Sequence, residues 1–146
     1  MKVLLAGGGT GGHVYPAIAI ANKIKEHNPD CEILFVGTKN GIESEIVPKA
    51  GFELKTVTVQ GFKRKIDFDN VKRVFKLCKG LEQSRRIVKK YKPDIVIGTG
   101  GYVSGPVLFN AAMSKKVTIV HEQNSFPGVT NKILSKVATK VLTSFE

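Results

Sequence analysis

A run of five glycines and one threonine at residues 7–12 is the feature that most restricts the fold of this chain. It follows the short apolar run 3–6. Apolar residues at helical spacing come next: Val14, Ala17, Ile18, Ala21 and Ile24. A strand, a glycine loop and a helix in this order bring backbone N–H groups and a helix N-terminus to one point, which suits a phosphate. The segment therefore predicts an anionic ligand.

The rest of the chain continues this alternation of short apolar runs and amphipathic segments. Strands are predicted at 3–6, 33–36, 54–59, 95–97, 117–120 and 141–143. Helices are predicted at 13–27, 42–49, 69–91, 104–115 and 128–138. This order is typical of an α/β fold with a parallel sheet, and six strands fit one doubly wound, Rossmann-like domain. The core face of the long helix is expected to contain Val71, Val74, Phe75, Cys78, Leu81, Val88 and Tyr91.

A second glycine cluster, Gly-Thr-Gly-Gly-Tyr-Val-Ser-Gly-Pro, occupies residues 98–106. Ser104 is the expected N-cap of the helix that follows. In the usual strand order 3-2-1-4-5-6, strands 1 and 4 are neighbours at the topological switch point. The loops at 7–12 and 98–101 should then line one crevice, which suits a pyrophosphate. The simpler alternative is that the glycines only form tight turns.

A third candidate loop, residues 121–128, follows the fifth predicted strand at the same edge of the sheet. It begins with four polar residues, His121, Glu122, Gln123 and Asn124. Polar side chains directly after an apolar strand indicate a site rather than core. The alternative is a solvated loop with side-chain hydrogen bonds to its own turns.

A dinucleotide-binding domain is an alternative interpretation of the first loop, because Gly7, Gly9 and Gly12 fit the pattern G-x-G-x-x-G. Such a domain needs a carboxylate after the second strand to bind the ribose. No carboxylate follows the second strand here, and Lys39, three residues after it, suits only a 2′-phosphate. An NADP-binding oxidoreductase therefore stays open as a second hypothesis.

Composition restricts the partners more than the fold. The 146 residues fit one domain, and the formal net charge is +11. This charge suits an anionic membrane surface or a phosphorylated substrate, and no nucleic-acid reading motif accompanies it. The two cysteines, Cys31 and Cys78, are far apart, which indicates a reducing, cytosolic compartment. Apolar runs are too short for a signal peptide or a spanning helix, so any membrane contact is expected to be peripheral.

Four motifs resemble those of the MurG family of bacterial glycosyltransferases. They are Gly-Gly-Thr-Gly-Gly-His-Val-Tyr-Pro-Ala at 8–17, Gly-Ile-Glu-Ser-Glu-Ile-Val-Pro at 41–48, the 98–106 cluster, and His-Glu-Gln-Asn at 121–124 with Pro-Gly at 127–128. Members of this family transfer N-acetylglucosamine from UDP-N-acetylglucosamine to lipid I, the undecaprenyl-pyrophosphoryl-muramyl-pentapeptide, and so make lipid II for peptidoglycan. The resemblance extends from residue 1 to the sixth predicted strand.

The resemblance implies a two-domain GT-B fold, of which residues 1–146 are the N-terminal, acceptor-binding half, and a donor-binding half that lies outside this chain. It implies an inverting transfer without cofactor or metal, at the cytoplasmic face of the cell membrane. It also implies donor contacts from Thr10, Gly11, Gly12 and Asn124. The expected substrate-binding set further includes Gly9, Gly100, Gly101, Tyr102, His121 and Gln123. We expect this chain alone to be inactive, and a membrane-recruiting subunit of a split transferase is a further alternative.

His13 is the candidate general base, because the positive end of a helix keeps an imidazole neutral. Glu122 is the rival base. The alternative role of His13 is to hydrogen-bond substrate oxygens.

The segment 60–68 and the start of the long helix indicate a membrane-facing surface. Apolar and basic residues alternate there, as at the headgroup boundary of an anionic leaflet. The residues concerned are Phe62, Lys63, Arg64, Lys65, Ile66, Phe68 and Lys72. The alternative is a solvated, charged helix with a few core anchors.

Overall fold

A computed structural model, which describes residues 1–62, 65 and 68–145, contains one six-stranded parallel sheet of order β3-β2-β1-β4-β5-β6. The strands are β1 Lys2–Gly7, β2 Glu32–Gly37, β3 Glu53–Thr56, β4 Ile95–Gly100, β5 Val117–Glu122 and β6 Lys140–Thr143. The helices are α1 Gly11–His27, α2 Glu43–Lys49, α3 Asp69–Tyr91, α4 Ser104–Met113 and α5 Val129–Leu134. The doubly wound α/β fold and the strand order predicted from the sequence are confirmed.

The sheet is apolar on both faces because helices cover both, as parallel sheets require. Alternate residues of β1 divide between the two sides of the core. Leu4 and Ala6 pack with residues of α3 and α4, whereas Val3 and Leu5 pack with residues of α1. β1 lies at the centre of the sheet and pairs with β2 on one side and β4 on the other. The loops after β1 and β4 therefore start side by side.

The third strand is shorter than predicted and ends at Thr56 instead of residue 59. Val57 N still donates to the carbonyl of Gly37, at 2.9 Å. One residue later, Thr58 N donates to Gln83 Oε1 in α3, at 2.6 Å. The backbone therefore stops hydrogen-bonding to β2 at Val57 and bonds to a side chain of α3 at Thr58, which ends the strand.

The predicted core face of α3 is wrong in its first half. Val71, Val74, Phe75 and Cys78 are exposed, and burial begins at Gly80. At about 1.5 Å per residue, the 23 residues of α3 span roughly 35 Å, while the six residues of β4 span roughly 20 Å. The helix is longer than the sheet that it covers, so its first turns extend past the core. Within the described part of the chain, no helix has the combined length and hydrophobicity that a bilayer crossing requires.

We expect Gly80→Ala to lower the free energy of unfolding by about 1–3 kcal/mol, as overpacking typically does. A Cβ at Gly80 would collide with the carbonyl oxygen of Thr58, in the segment that leaves the sheet. The matched control is Gly105→Ala in α4, where a Cβ would meet only Thr130 Cγ2, at 3.6 Å. Alanine favours a helix, so we expect the control to be as stable as the wild type or more stable. Urea denaturation measures both, and equal effects would contradict this packing.

Candidate functional site

The loops after β1 and β4 are in direct backbone contact, as the strand order predicts. A Cβ on Gly101 would collide with the carbonyl oxygen of Gly8, and one on Gly100 would lie 2.6 Å from Nδ1 of His13. Both glycines have positive φ, 111° at Gly100 and 83° at Gly101. These two expected substrate-binding residues therefore serve, in the first place, to pack one loop against the other.

The glycine loops do not direct all their amides outward, which corrects the simplest form of the sequence prediction. Gly9 N donates to Glu43 Oε2, at 3.1 Å, and Gly100 N donates to Ser104 Oγ, at 3.3 Å. The open donors are the amides of Gly11 and Gly12 at the start of α1, which have no acceptor among the described residues, whereas His13 N already donates to the carbonyl of Thr10, at 3.1 Å. Thr10 is the N-cap there, but its exposed side chain makes no cap hydrogen bond. The N-terminus of α1 is thus the part of the site available to an anion.

Ser104 is not the N-cap that the sequence suggested. It is the first residue of α4, fully buried, and Val103 occupies the cap position. Its Oγ lies 2.8 Å from the carbonyl oxygens of both Ala6 and Gly100. The hydroxyl therefore links the end of β1 to the second glycine loop.

Glu43 stabilises the first glycine loop by accepting a hydrogen bond from its backbone. This role in the site was not identified from the sequence. The carboxylate is fully buried and accepts hydrogen bonds from Gly9 N, from Thr38 N at 2.7 Å and from Thr38 Oγ1 at 2.7 Å. Burial raises the pKa of this carboxyl, but the hydrogen bonds from Thr38 and Gly9 outweigh burial and lower it below 4.5. The available signal was the Gly-Ile-Glu motif at 41–43, since a Cβ at Gly41 would collide with this carboxylate.

His13 lies in the first turn of α1, against the second glycine loop. Its Nδ1 is 3.1 Å from the carbonyl oxygen of Thr99 and 2.9 Å from Gln123 Nε2. Thr99 Oγ1 donates in return to the carbonyl of His13, at 2.7 Å. Nε2 of His13 has no hydrogen-bond partner among the described residues, and it is not buried. The ring is held at one nitrogen and presents the other to the crevice.

The third candidate loop begins later than expected, because β5 continues through His121 and Glu122. Glu122 is only 4% exposed, so the expectation that it lies in an open loop is wrong. It accepts hydrogen bonds from Asn124 N and Nδ2, Asn131 Nδ2 and Gly128 N, at 2.8–3.2 Å. Burial raises its pKa, and these hydrogen bonds outweigh burial and lower it. A carboxylate that accepts four hydrogen bonds is a poor proton acceptor.

Asn124 is exposed and is oriented by Glu122, to which Nδ2 donates at 2.9 Å. Its side-chain carbonyl therefore points away from that carboxylate. His121 is half-buried, and its Nδ1 has no partner among the described residues. Asn131 was missed by sequence reasoning, because it lies on the following helix without a motif that marks it.

Tyr102 connects the site to the predicted membrane-facing segment. Its ring lies against the backbone of Gly61, where a Cβ would collide with it. Five apolar residues after this contact are exposed, and we call them the apolar cluster: Phe62, Phe68, Val71, Val74 and Phe75. Exposed lysines accompany them, namely Lys65, Lys72, Lys76 and Lys79. Lys63, Arg64 and Ile66 of the same prediction lie outside the described residues.

Sequence and structure both relate this chain to known glycosyltransferases. The family described as Glycosyltransferase family 28 N-terminal domain matches residues 3–143. A Clostridioides difficile protein named UDP-N-acetylglucosamine--N-acetylmuramyl-(pentapeptide) pyrophosphoryl-undecaprenol N-acetylglucosamine transferase is 86% identical over all 146 residues, which are 36% of its length. A protein of the same name from Alkaliphilus oremlandii is 59% identical, and the match covers 100% of this chain and 40% of that protein.

The crystal structure of Acinetobacter baumannii MurG superposes with a TM-score of 0.85 at 32% identity. The match covers 99% of this chain and 41% of that one. This chain therefore spans well under half the length of the relatives that it matches.

We expect Glu43→Gln to lower the free energy of unfolding at pH 7 by about 2–4 kcal/mol, because an amide would turn N–H groups toward the N–H of Gly9. The matched control is Glu45→Gln on the same helix, where an exposed ion pair with Lys49 contributes little.

The two variants should also differ in pH dependence. The pKa of Glu43 is lowered in the folded protein, so its stabilising effect is complete above 4.5 and is lost as the pH falls through the folded value. Glu43→Gln should lose this part of the acid dependence, measured by urea denaturation at several pH values, and Glu45→Gln should keep it. Equal stability of the two variants at pH 7 would contradict the role of Glu43.

Proposed function

Because the chain belongs to the family of glycosyltransferase family 28 N-terminal domains, we propose that it forms the acceptor-binding half of an inverting N-acetylglucosaminyltransferase. The donor is UDP-N-acetylglucosamine and the acceptor is lipid I, as the name of the 86% identical relative indicates for that protein. The donor-binding half is a second domain outside these residues. The observation that carries the proposal is the contact between two glycine loops beside an open helix N-terminus and a His13 Nε2 that has no partner within the described part of the chain.

The acceptor's pyrophosphate binds at the N-terminus of α1. The open amides at the start of α1 and the positive end of the helix dipole suit a dianionic group there. Gly9 supports this placement, because its φ is +85° and a Cβ on it would meet nothing within 4 Å. Thr10, with an exposed and uncapped hydroxyl, supplies a further hydrogen bond to either substrate. Gly11, Gly12 and Asn124 contribute donor contacts, and the other domain supplies the remainder.

His13 is the general base of the transfer. Its Nε2 takes the proton of the muramyl 4-hydroxyl while that oxygen forms a bond to C1 of the donor sugar and UDP leaves with the electron pair of the broken bond. Attack from the face opposite to the leaving group inverts the configuration at C1. Glu122 does not compete for this role, because its carboxylate is buried and accepts hydrogen bonds from Asn124, Gly128 and Asn131.

The apolar cluster and its lysines form the membrane-contacting surface, at the cytoplasmic face of the cell membrane. Phe68 and Phe75 are 92% and 72% exposed, and exposed apolar side chains accompanied by exposed lysines suit the headgroup region of an anionic leaflet. Tyr102 links this surface to the second glycine loop through Gly61. A lipid-anchored acceptor then has its pyrophosphate close to the membrane that holds it.

The NADP-binding alternative loses its support, because the glycosyltransferase family match covers the residues on which that hypothesis depended. A non-catalytic, membrane-recruiting subunit would have the same membrane-contacting surface, but its crevice would take no part in catalysis. The activity of an enzyme completed with a donor-binding domain distinguishes these two hypotheses.

The test is a fusion of this chain to the remaining C-terminal portion of the C. difficile relative, assayed for conversion of lipid I to lipid II. We expect turnover by the fusion and none by the chain alone.

In the fusion, His13→Ala should reduce kcat by roughly 10²–10⁴, as loss of a general base does. His27→Ala on the same helix is the control and should leave kcat unchanged, because His27 is exposed and contacts the carbonyl of Lys23. An effect of His13→Ala on KM alone would remove the catalytic role, and efficient turnover by the isolated chain would contradict the half-enzyme proposal.

Membrane contact is tested by cosedimentation of the chain with vesicles. We expect Phe75→Ser to weaken binding to anionic vesicles by about fivefold or more, because roughly 1 kcal/mol or more of apolar burial is lost. Phe126→Ser is the matched control, since Phe126 is as exposed but lies on the loop after β5. Equal binding to neutral and anionic vesicles would remove the electrostatic part of the proposal. Equal effects of the two substitutions would remove the apolar cluster from it.

A further inference from the structure

The side chain of Gln123 is fixed between the backbone of α1 and the ring of His13. Its Nε2 donates to the carbonyl oxygen of Gly12, at 2.7 Å, and lies 2.9 Å from His13 Nδ1. Its Oε1 is buried without a partner among the described residues. The opposite amide orientation would place Oε1 at 2.7 Å from the Gly12 oxygen, where two acceptors repel each other. The carbonyl of Gly12 therefore determines that an N–H group faces His13.

His13 Nδ1 thus lies between two groups with opposite requirements. The carbonyl of Thr99, at 3.1 Å, needs a proton on Nδ1, whereas the N–H of Gln123 needs a lone pair there. A neutral imidazole carries one proton, so it can satisfy one of these partners at a time. Donation to Thr99 leaves a lone pair on Nε2. Acceptance from Gln123 puts the proton on Nε2.

We propose that Gln123 is a positioning residue that controls the tautomer of His13 by competing with the Thr99 carbonyl for Nδ1. A buried acceptor without a partner is unfavourable, so the two contacts made by the other end of the amide explain why this side chain is held there. In this proposal Gln123 acts through His13, and its expected contact with substrate stays a prediction.

The catalytic consequence rests on the proposed transferase function. Only the tautomer with a lone pair on Nε2 can take a proton from the acceptor hydroxyl. The other tautomer presents an N–H and can only donate a hydrogen bond to a substrate oxygen. Gln123 therefore divides His13 between the two roles that the sequence left open, proton acceptor and hydrogen-bond donor.

The tautomer is measured directly on this chain, labelled with ¹⁵N, by long-range ¹H–¹⁵N correlation of the imidazole at a pH where histidine is neutral. We expect both tautomers of His13 in the wild type. Gln123→Met keeps the size of the side chain and removes the donor, so the ratio of the Nδ1–H to the Nε2–H form should rise about fivefold, the factor for one ordinary hydrogen bond. His27, whose Nδ1 lies 3.0 Å from the Lys23 carbonyl, is the reference ring in the same spectra and should not change.

A second variant keeps the test decisive if Gln123→Met does not fold. Gln123→Ala also removes the donor, adds no bulk, and should shift the ratio in the same direction by a similar factor. A wild-type ring wholly in one tautomer, or a ratio unchanged in a folded variant, overturns the proposal. No substrate is present in this measurement, so its failure leaves the transferase proposal intact, and a fusion without turnover leaves the tautomer result intact.

Discussion

The close contact between the loops that follow β1 and β4 is the constraint on which the rest of the site depends. The two strands pair in parallel, with a register shift that places Gly7 opposite Gly100. Beyond this pair, Gly101 and Gly8 approach so closely that a side chain would not fit. This approach brings the Thr99 carbonyl to the ring of His13 and the Thr99 hydroxyl to its backbone. Without it, neither the orientation of the imidazole nor the open end of α1 would be defined.

The carboxyl edge of the sheet also contains two buried carboxylates that shape loops rather than perform chemistry. Glu43 supports the first glycine loop and Glu122 supports the segment after β5. In each case several N–H or O–H donors surround the carboxylate, which explains why burial does not neutralise it. Their negative charges are satisfied locally, so the positive end of α1 remains available to a ligand.

Most of the fold could be predicted from the sequence because it depends on local patterns. Apolar runs located all six strands, and glycine loops located the switch point between β1 and β4. The errors occurred where tertiary geometry decides. The pattern of α3 could not reveal that the helix is longer than the sheet, so Val71 and Phe75 were assigned to the core. The polarity of Glu122 indicated a loop, whereas its hydrogen bonds with Asn124 and Asn131 stabilise it inside the fold. The role of Glu43 required knowledge of which loops meet.

The length of α3 has a further consequence for its motions. Residues from Gly80 onward are anchored by the sheet and by α4, whereas the first turns have water on most sides. Helical turns without buried contacts open locally at little cost in free energy, independently of global unfolding. Backbone amide exchange along this one helix should therefore run as a gradient, fast at Val71 and slow at Val88. The surface that carries the exposed phenylalanines can adjust its shape to a soft, irregular interface, while the opposite end of the same helix stays packed at the amino-terminal edge of the sheet, where Tyr91 Oη contacts the carbonyl of Val3 at 3.4 Å.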